Sequence, residues 1–323
     1  MAPGAKQGGS RGVDSVRFCV CVPARNEVER LPVLLEALAD QNIAGPVRVA
    51  VLVNNSLDGT ACAARDATRA LEGRLDMTLR EVNLPAERAH AGGARALAMD
   101  LGISVLDGRE DAVLISTDAD SRPPRHWVAN TLRAFQEGAD IVGGRLVIDD
   151  RDPLPHDMSR ARALWDHYWA EVRAIEDAID PVAWDPAPRH GDHTGASLAL
   201  RVSTYRAAGG IPPIASGEDR ALVEAAVAIA ARLRHPDDVW TRVSGRLDGR
   251  ACGGMADHLL VLADTLAQGQ PVLAPSLEQW RDRARWRAAL RASNVSPDVL
   301  LEAERSLTPM VADMVLAEGL VAA

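Results

Sequence analysis

With 323 residues, 47% of them hydrophobic and 25% charged, the chain is large enough for one big α/β domain or two coupled ones. Its formal net charge of -9 argues against general nucleic-acid binding, which needs a basic footprint. The four cysteines, Cys19, Cys21, Cys62 and Cys252, form no Cys-x-x-Cys pair. Cys19 and Cys21 read as reduced core thiols on a buried strand, which fits a cytoplasmic protein.

Residues 1–14 carry Gly, Ser and Lys/Arg around no apolar core, so they read as a disordered tail rather than a secretory signal. Residues 17–22 then read as a strand. Residues 28–40 show helical spacing at Leu31, Leu34, Leu35 and Leu38. Residues 47–53 form an apolar run with one Arg, the pattern of a parallel strand buried on both faces. A helix over 59–71, a strand over 78–82, a helix over 93–106, a strand over 111–116, a helix over 126–136 and a strand over 141–147 follow. This alternation predicts a doubly wound, mostly parallel sheet flanked by helices. Ligands of such sheets bind beyond the carboxyl ends of the strands, where residues 23–27, 54–58 and 118–120 fall.

The second half is less regular. Residues 153–192 are rich in Asp, Pro and Trp, and Trp165, Tyr168 and Trp169 share one helical face that reads as core. A small-residue stretch (194–200), a buried helix (221–233), a strand (239–243) and helices over 277–292 and 297–316 follow. Arg281, Arg283, Arg285, Arg287 and Arg291 read as a solvated helix face with ion pairs to Glu278 and Asp282. The run 221–233 is too short to span a bilayer and carries Glu224, so no transmembrane segment is expected, while peripheral membrane contact stays open.

The most informative motif is Thr117-Asp118-Ala119-Asp120, directly after an apolar run. Side chains two apart on an extended strand point the same way, which sets two carboxylates side by side. They repel unless a cation lies between them, and hard oxygen ligands with open positions suit Mg²⁺ or Mn²⁺ shared with phosphates. In residues 22–27, Arg25 and Asn26 offer donors to a base or phosphate, although Asn26 also reads as the N-cap of the next helix. Asp58-Gly59-Thr60 follows the second buried strand. Ala91-Gly92-Gly93-Ala94-Arg95 opens a helix whose start favours an anion, but it is neither a dinucleotide fingerprint nor a P-loop.

In this order the motifs resemble those of the family-2 glycosyltransferases with the GT-A fold. The Val-Pro-x-x-Asn-Glu strand end (22–27), the Asp-Gly-Thr loop, the Gly-rich helix start, the Asp-x-Asp, the Thr194-Gly195-Ala196-Ser197 stretch and Gly217-Glu218-Asp219-Arg220 span roughly residues 15–250. The resemblance implies a nucleotide-sugar half over 15–150, an acceptor half over 151–262 and a C-terminal helical extension over 263–323. It implies that Pro23, Ala24, Arg25, Asn26, Glu27, Asn54, Asp58, Gly93, Arg95, Asp118 and Ala119 bind the donor. Asp118 and Asp120 would hold Mn²⁺ or Mg²⁺, with His258 or His235 as a further candidate ligand. Asp219 would be the base, beside Glu218. His193, Thr194, Gly195 and Ala196, with Arg246 and Arg250, would meet the acceptor or the diphosphate. The processive members' Gln-x-x-Arg-Trp motif is missing, so the expectation is transfer of a single sugar to a small or soluble acceptor.

Residues 244–250 also resemble a segment of glucosyl-3-phosphoglycerate and mannosylglycerate synthases, which retain anomeric configuration. Inverting transfer with Asp219 as base and retaining transfer therefore stand as alternatives. A sugar nucleotidyltransferase is a third, although it would want a Gly-rich, Lys/Arg-bearing loop where residues 23–27 stand.

Overall fold

The computed structural model describes residues 16–249 and 253–317. The tail over 1–14, Arg250 and Cys252 lie outside these described residues. The chain opens with β1 (Phe18–Ala24), α1 (Leu31–Ala39), β2 (Val47–Asn54), α2 (Thr60–Ala70), β3 (Leu75–Val82), α3 (Ala91–Val105), β4 (Val113–Ser116), α4 (Trp127–Gln136) and β5 (Ile141–Gly143). It continues with β6 (Arg145–Ile148), α5 (His156–Ile179), β7 (Leu198–Arg201), α6 (Val202–Ala207), α7 (Glu218–Ala228), β8 (Leu233–Arg234) and β9 (Trp240–Val243). Last come α8 (Met255–Ala267), β10 (Leu273–Ala274), α9 (Leu277–Ala292), α10 (Pro297–Arg305) and β11 (Met314–Val315).

Seven strands form the main sheet in the order β3-β2-β1-β4-β7-β5-β8. β1, β2, β3 and β4 run parallel, with Cys21 beside Ser116 and Ala24 beside Val53. β7 is antiparallel to both β4 and β5. Residues 151–262 thus supply β7 and β8 to the same sheet that residues 15–150 begin.

Period-two side-chain alternation divides the core between two faces. On one, Val20, Val22, Val49, Val51 and Ile115 pack against the α1 leucines and against Trp127 and Phe135 of α4. On the other, Cys19, Cys21, Leu52 and Leu114 meet Ala98 and Met99 of α3, Tyr205 of α6 and Leu222 of α7. Each of the four α1 leucines is fully buried, worth about 1.5–3 kcal/mol apiece. Cys19 and Cys21 are free, buried thiols.

Four expectations need correction. The strand over 141–147 is two strands, because β6 leaves the main sheet to pair in parallel with β9. The break falls at Gly144, where a Cβ would lie 2.0 Å from Ser197 Oγ. The helix over 221–233 is α7 followed by an edge strand. Ala230 turns the chain at a φ of 66°, so the apolar pattern continues but the helix does not. α10 stops at Arg305 instead of reaching 316, since Pro309 excludes helix at and before itself. Arg287 and Arg291 are not a solvated pair, because they dock on Glu176, Asp180 and Glu304. The expected pairs of Arg281 and Arg285 with Glu278 and Asp282 do form.

The aromatic face of α5 is core only in part: Tyr168 is buried and Trp165 half-buried, but Trp169 is exposed, contrary to the expectation from its spacing. The Tyr168 hydroxyl donates to Pro275 O at 2.8 Å, and it accepts from Trp280 Nε1 at 2.6 Å. No helix among the described residues is long and apolar enough to cross a membrane.

Candidate active site

The carboxyl ends of β1, β2 and β4 share one rim, and there a cleft of about 600 Å³ opens. Pro23, Ala24, Arg25, Glu27, Asn54, Arg95, Asp118, Ala119 and Asp120 line it on the sheet side. Thr194, Gly195, Ala196, Glu218, Asp219, Arg246 and His258 line it from the second half of the chain. The fold therefore brings most of the sequence-derived candidates into one cavity.

Asp118 and Asp120 meet differently from the sequence expectation. The chain after Ser116 is not an extended strand, and Ser121 N donates to Asp118 O at 3.1 Å to close a tight turn. The turn, not strand alternation, brings the carboxylates together. Burial, followed by the neighbouring charge of Asp118, pushes Asp120 up to about 6 despite the opposing pull of Arg246.

Arg95 is the brace of the site. It is buried on α3, and its Nη2 donates to Asp118 Oδ1 at 2.9 Å and its Nε to Glu218 Oε1 at 3.1 Å. Its Nη1 donates to Ser116 Oγ and Gly195 O, both at 2.9 Å. Burial alone would lower the guanidinium's pKa, but Asp118 and Glu218 outweigh it and hold it above its ordinary value. Gly195 has to be glycine for this contact, since a Cβ there would stand 2.3 Å from Arg95 Cζ. The Glu218 carboxylate is thus engaged by a buried cation rather than directed at the open cleft. Asp219, one residue on in the first turn of α7, accepts from Gly195 N at 2.7 Å through Oδ2. Its Oδ1 accepts from Arg220 N, also at 2.7 Å.

A second arginine spans the rim. Arg246 Nη2 lies 2.8 Å from Glu27 Oε1 and 2.9 Å from Asp120 Oδ2. Just before it, Ser244 Oγ donates to Asp152 Oδ2 at 2.7 Å, and Arg30 holds the same carboxylate at 2.5 Å.

Four candidates lie off the cleft lining. Asn26, with φ 52°, is not an N-cap; its Oδ1 accepts from Leu57 N at 2.9 Å. Asp58 accepts from Val28 N at 3.1 Å and from Thr60 N at 3.0 Å. Together they tie the loop after β1 to the loop after β2. Gly93 N donates to His90 Nδ1 at 3.2 Å, so the N-cap imidazole uses that amide. His193 Nδ1 lies 3.2 Å from His235 Nε2, whose Nδ1 is 2.8 Å from Asp185 Oδ2. Burial, with His235 beside it, drives His193 down to about 4.

His258 is exposed on α8 at the cleft edge. Among the described residues no three His, Cys, Asp or Glu side chains converge tightly enough to hold a metal alone. His90, Ser216, Arg220, Ser244 and Met255 also line the cleft without having been given a role from the sequence. Arg220 and Ser244 belong to quoted motifs, next to Asp219 and two residues before Arg246. His90 and Ser216 had no signal beyond preceding a glycine-rich helix start or an acidic pair.

Residues 19–175 match the model of the family described as Glycosyl transferase family 2. No curated protein matches the chain by sequence. Among solved structures, that of Staphylococcus aureus TarS 1–349 in complex with UDP has a TM-score of 0.50 at 14% identity, covering 87% of this chain and 73% of that one. In another structure of the same TarS segment the chain spans 62% of its length, and it spans 44% of TarS itself. The mannosyltransferase PcManGT from Pyrobaculum calidifontis, in complex with GDP-Man and Mn²⁺, is 20% identical with a TM-score of 0.49, over 90% of this chain and 79% of that one. Glucosyl-3-phosphoglycerate synthase from Mycobacterium tuberculosis, in complex with Mn²⁺, UDP-glucose and phosphoglyceric acid, is 17% identical with a TM-score of 0.44, over 85% and 89%. The parallel rim, the Asp-x-Asp turn and the family match agree: residues 19–175 are a family 2 glycosyltransferase domain, carried on a GT-A-type sheet.

Proposed function

We propose that the protein transfers a single sugar from a nucleotide-diphosphate sugar to an acceptor hydroxyl, with Asp219 as the base and inversion at the anomeric carbon. The observation that carries this reading is the position of Asp219, which lines the same cleft as Asp118 and Asp120 and is fixed by the Gly195 amide. A carboxylate held by two amides at the cleft wall is placed to take the proton of an attacking hydroxyl.

Two hard carboxylates within one turn of chain fit Mg²⁺ or Mn²⁺, and since no three His, Cys, Asp or Glu converge here among the described residues, diphosphate oxygens and water would suit the remaining positions. Such a cation, on Asp118 and Asp120, supplies charge for a departing diphosphate. Arg95 holds Asp118 at the cleft wall, and Glu218 keeps Arg95 in place. Pro23, Ala24, Arg25, Glu27 and Asn54 make the wall for the nucleoside. Thr194, Gly195 and Ala196, beside Asp219, make the wall for the acceptor.

The test is Asp219→Asn. With a panel of nucleotide sugars, Mn²⁺ and released diphosphate as readout, turnover is expected to fall by about 10²–10⁴-fold with donor affinity kept. Near-normal turnover, or a product of retained anomeric configuration by NMR, would refute the role of Asp219.

A further inference from the structure

Arg95 and Arg246 both grip site carboxylates, but they are built differently. Arg95 is anchored on all sides by Asp118, Glu218, Ser116 and the Gly195 carbonyl, deep under α3. The ion pairs of Arg246 go to Glu27 and Asp120, both of which line the cleft. Arg246 also lies two residues beyond a fixed point, Ser244 on Asp152, so its side chain can leave without disturbing the β9 strand that ends at Val243. A forked guanidinium grips a carboxylate and a phosphate by the same pair of parallel hydrogen bonds.

We propose that Arg246 is the resident counter-ion of this site: it neutralises Asp120 and Glu27 until a divalent cation takes over that charge, and it then turns to the phosphates of the donor. The proposal rests on the metal-site reading above and adds a competition to it. Cation and guanidinium cannot both hold Asp120, so the metal alone binds weakly. The phosphates, by drawing Arg246 away, strengthen the metal's hold. Ordered entry follows from one exchangeable side chain rather than from a moving domain. Arg30 and Arg95 have direct partners of their own, Asp152 for the first and Asp118 and Glu218 for the second, while Arg246 is paired with Asp120 itself.

Two titrations on the full chain test this, neither needing the acceptor or the base. For Mn²⁺ alone, Arg246→Gln is expected to bind at least about tenfold more tightly than the unsubstituted protein, because a unit charge within hydrogen-bonding distance of the ligand has gone. Arg246→Lys, which keeps the charge but not the fork, should show a smaller gain and covers the case in which the glutamine variant does not fold. For inorganic pyrophosphate in EDTA, Arg246→Gln should bind about tenfold more weakly. Opposite signs in the two titrations are the signature. Mn²⁺ affinity within about twofold of the unsubstituted protein in both variants, or weaker, overturns the proposal. Asp120→Asn separates the two levels: if it leaves Mn²⁺ binding unchanged, the metal-site reading itself fails, whatever Arg246 does.

Discussion

Two arginine–carboxylate networks, one at the cleft and one under the C-terminal helices, share their ions in opposite ways. Under α9, Glu176 alone faces Arg173 at 2.9 Å, Arg189 at 3.5 Å and Arg287 at 2.5 Å. Asp180 beside it holds Arg291 at 2.9 Å and Arg287 at 3.5 Å. At the cleft, the Arg246 guanidinium is shared between Glu27 and Asp120, and that of Arg95 between Asp118 and Glu218. A buried carboxylate shared by several guanidiniums fastens helices together. At the cleft Asp120 stays raised, by burial first and by the neighbouring Asp118 second. The C-terminal arrangement serves stability, and the cleft arrangement gives part of it up.

The comparison breaks most readily at Glu176. Glu176→Gln removes the anion shared by three guanidiniums and should cost about 3–5 kcal/mol in denaturant unfolding, since breaking a buried pair strands its partners. A loss no larger than that of an exposed ion pair would mean that the C-terminal helices are held by Tyr168 and Trp280 instead.

The next effect is in acid. Burial takes His190 down to about 3 and His193 to about 4, whereas the unfolded imidazole titrates near 6.5. Both are neutral in the folded protein at pH 7, and the unfolded chain binds the extra protons first as pH falls. Each contributes stability that is present above pH 6.5 and is lost progressively as pH falls, by up to about 3 kcal/mol for His193 towards pH 4 and about 5 kcal/mol for His190 towards pH 3. Thermal melts from pH 7 to 4 should show that decline, and His190→Gln should flatten it; an equally steep decline in the variant would place acid sensitivity elsewhere.

The smallest effect has the opposite sign. The Asp120 carboxyl ionises near 3.8 unfolded and near 6 folded, so the protein loses stability as pH rises through that window. Asp120→Asn should therefore be more stable than the unsubstituted protein at pH 8, by about 1–2 kcal/mol, with the gain shrinking below pH 6. Gain at one network and loss at the other, from the same Asp/Glu-to-amide change, is the sharpest form of the contrast.

The sequence made the first network's location legible and hid the second. Continuous apolar runs and leucines of period 3.6 located β1 to β4 and α1 to α4, because burial on both faces of a parallel sheet leaves no polar alternation along its strands. Asp118 and Asp120 stood out because they follow such a run, whereas Asp219 and Arg246 stood out only through the family resemblance. Arg95 stood beside a glycine-rich turn, but nothing local marked it as a brace for residues more than 100 positions away. Glu176, Asp180 and Arg287 were invisible for the same reason: an ion pair between distant helices has no spacing rule. The antiparallel course of β7 had no signal in the small-residue stretch, and the 24-residue helix α5 showed only its aromatic face.

β7 has a further consequence, for biosynthesis. Its residues are made some eighty positions after β4, yet it occupies the slot between β4 and β5. A ribosome that has delivered everything up to residue 175, the span of the family match, has produced two strands whose mutual neighbour does not yet exist. Bare strand edges template pairing with other chains, and late long-range pairing slows folding. Expression of the isolated 19–175 segment should therefore yield aggregates, and any engineering of this protein has to carry residues 198–201 along with the β4 and β5 strands they join.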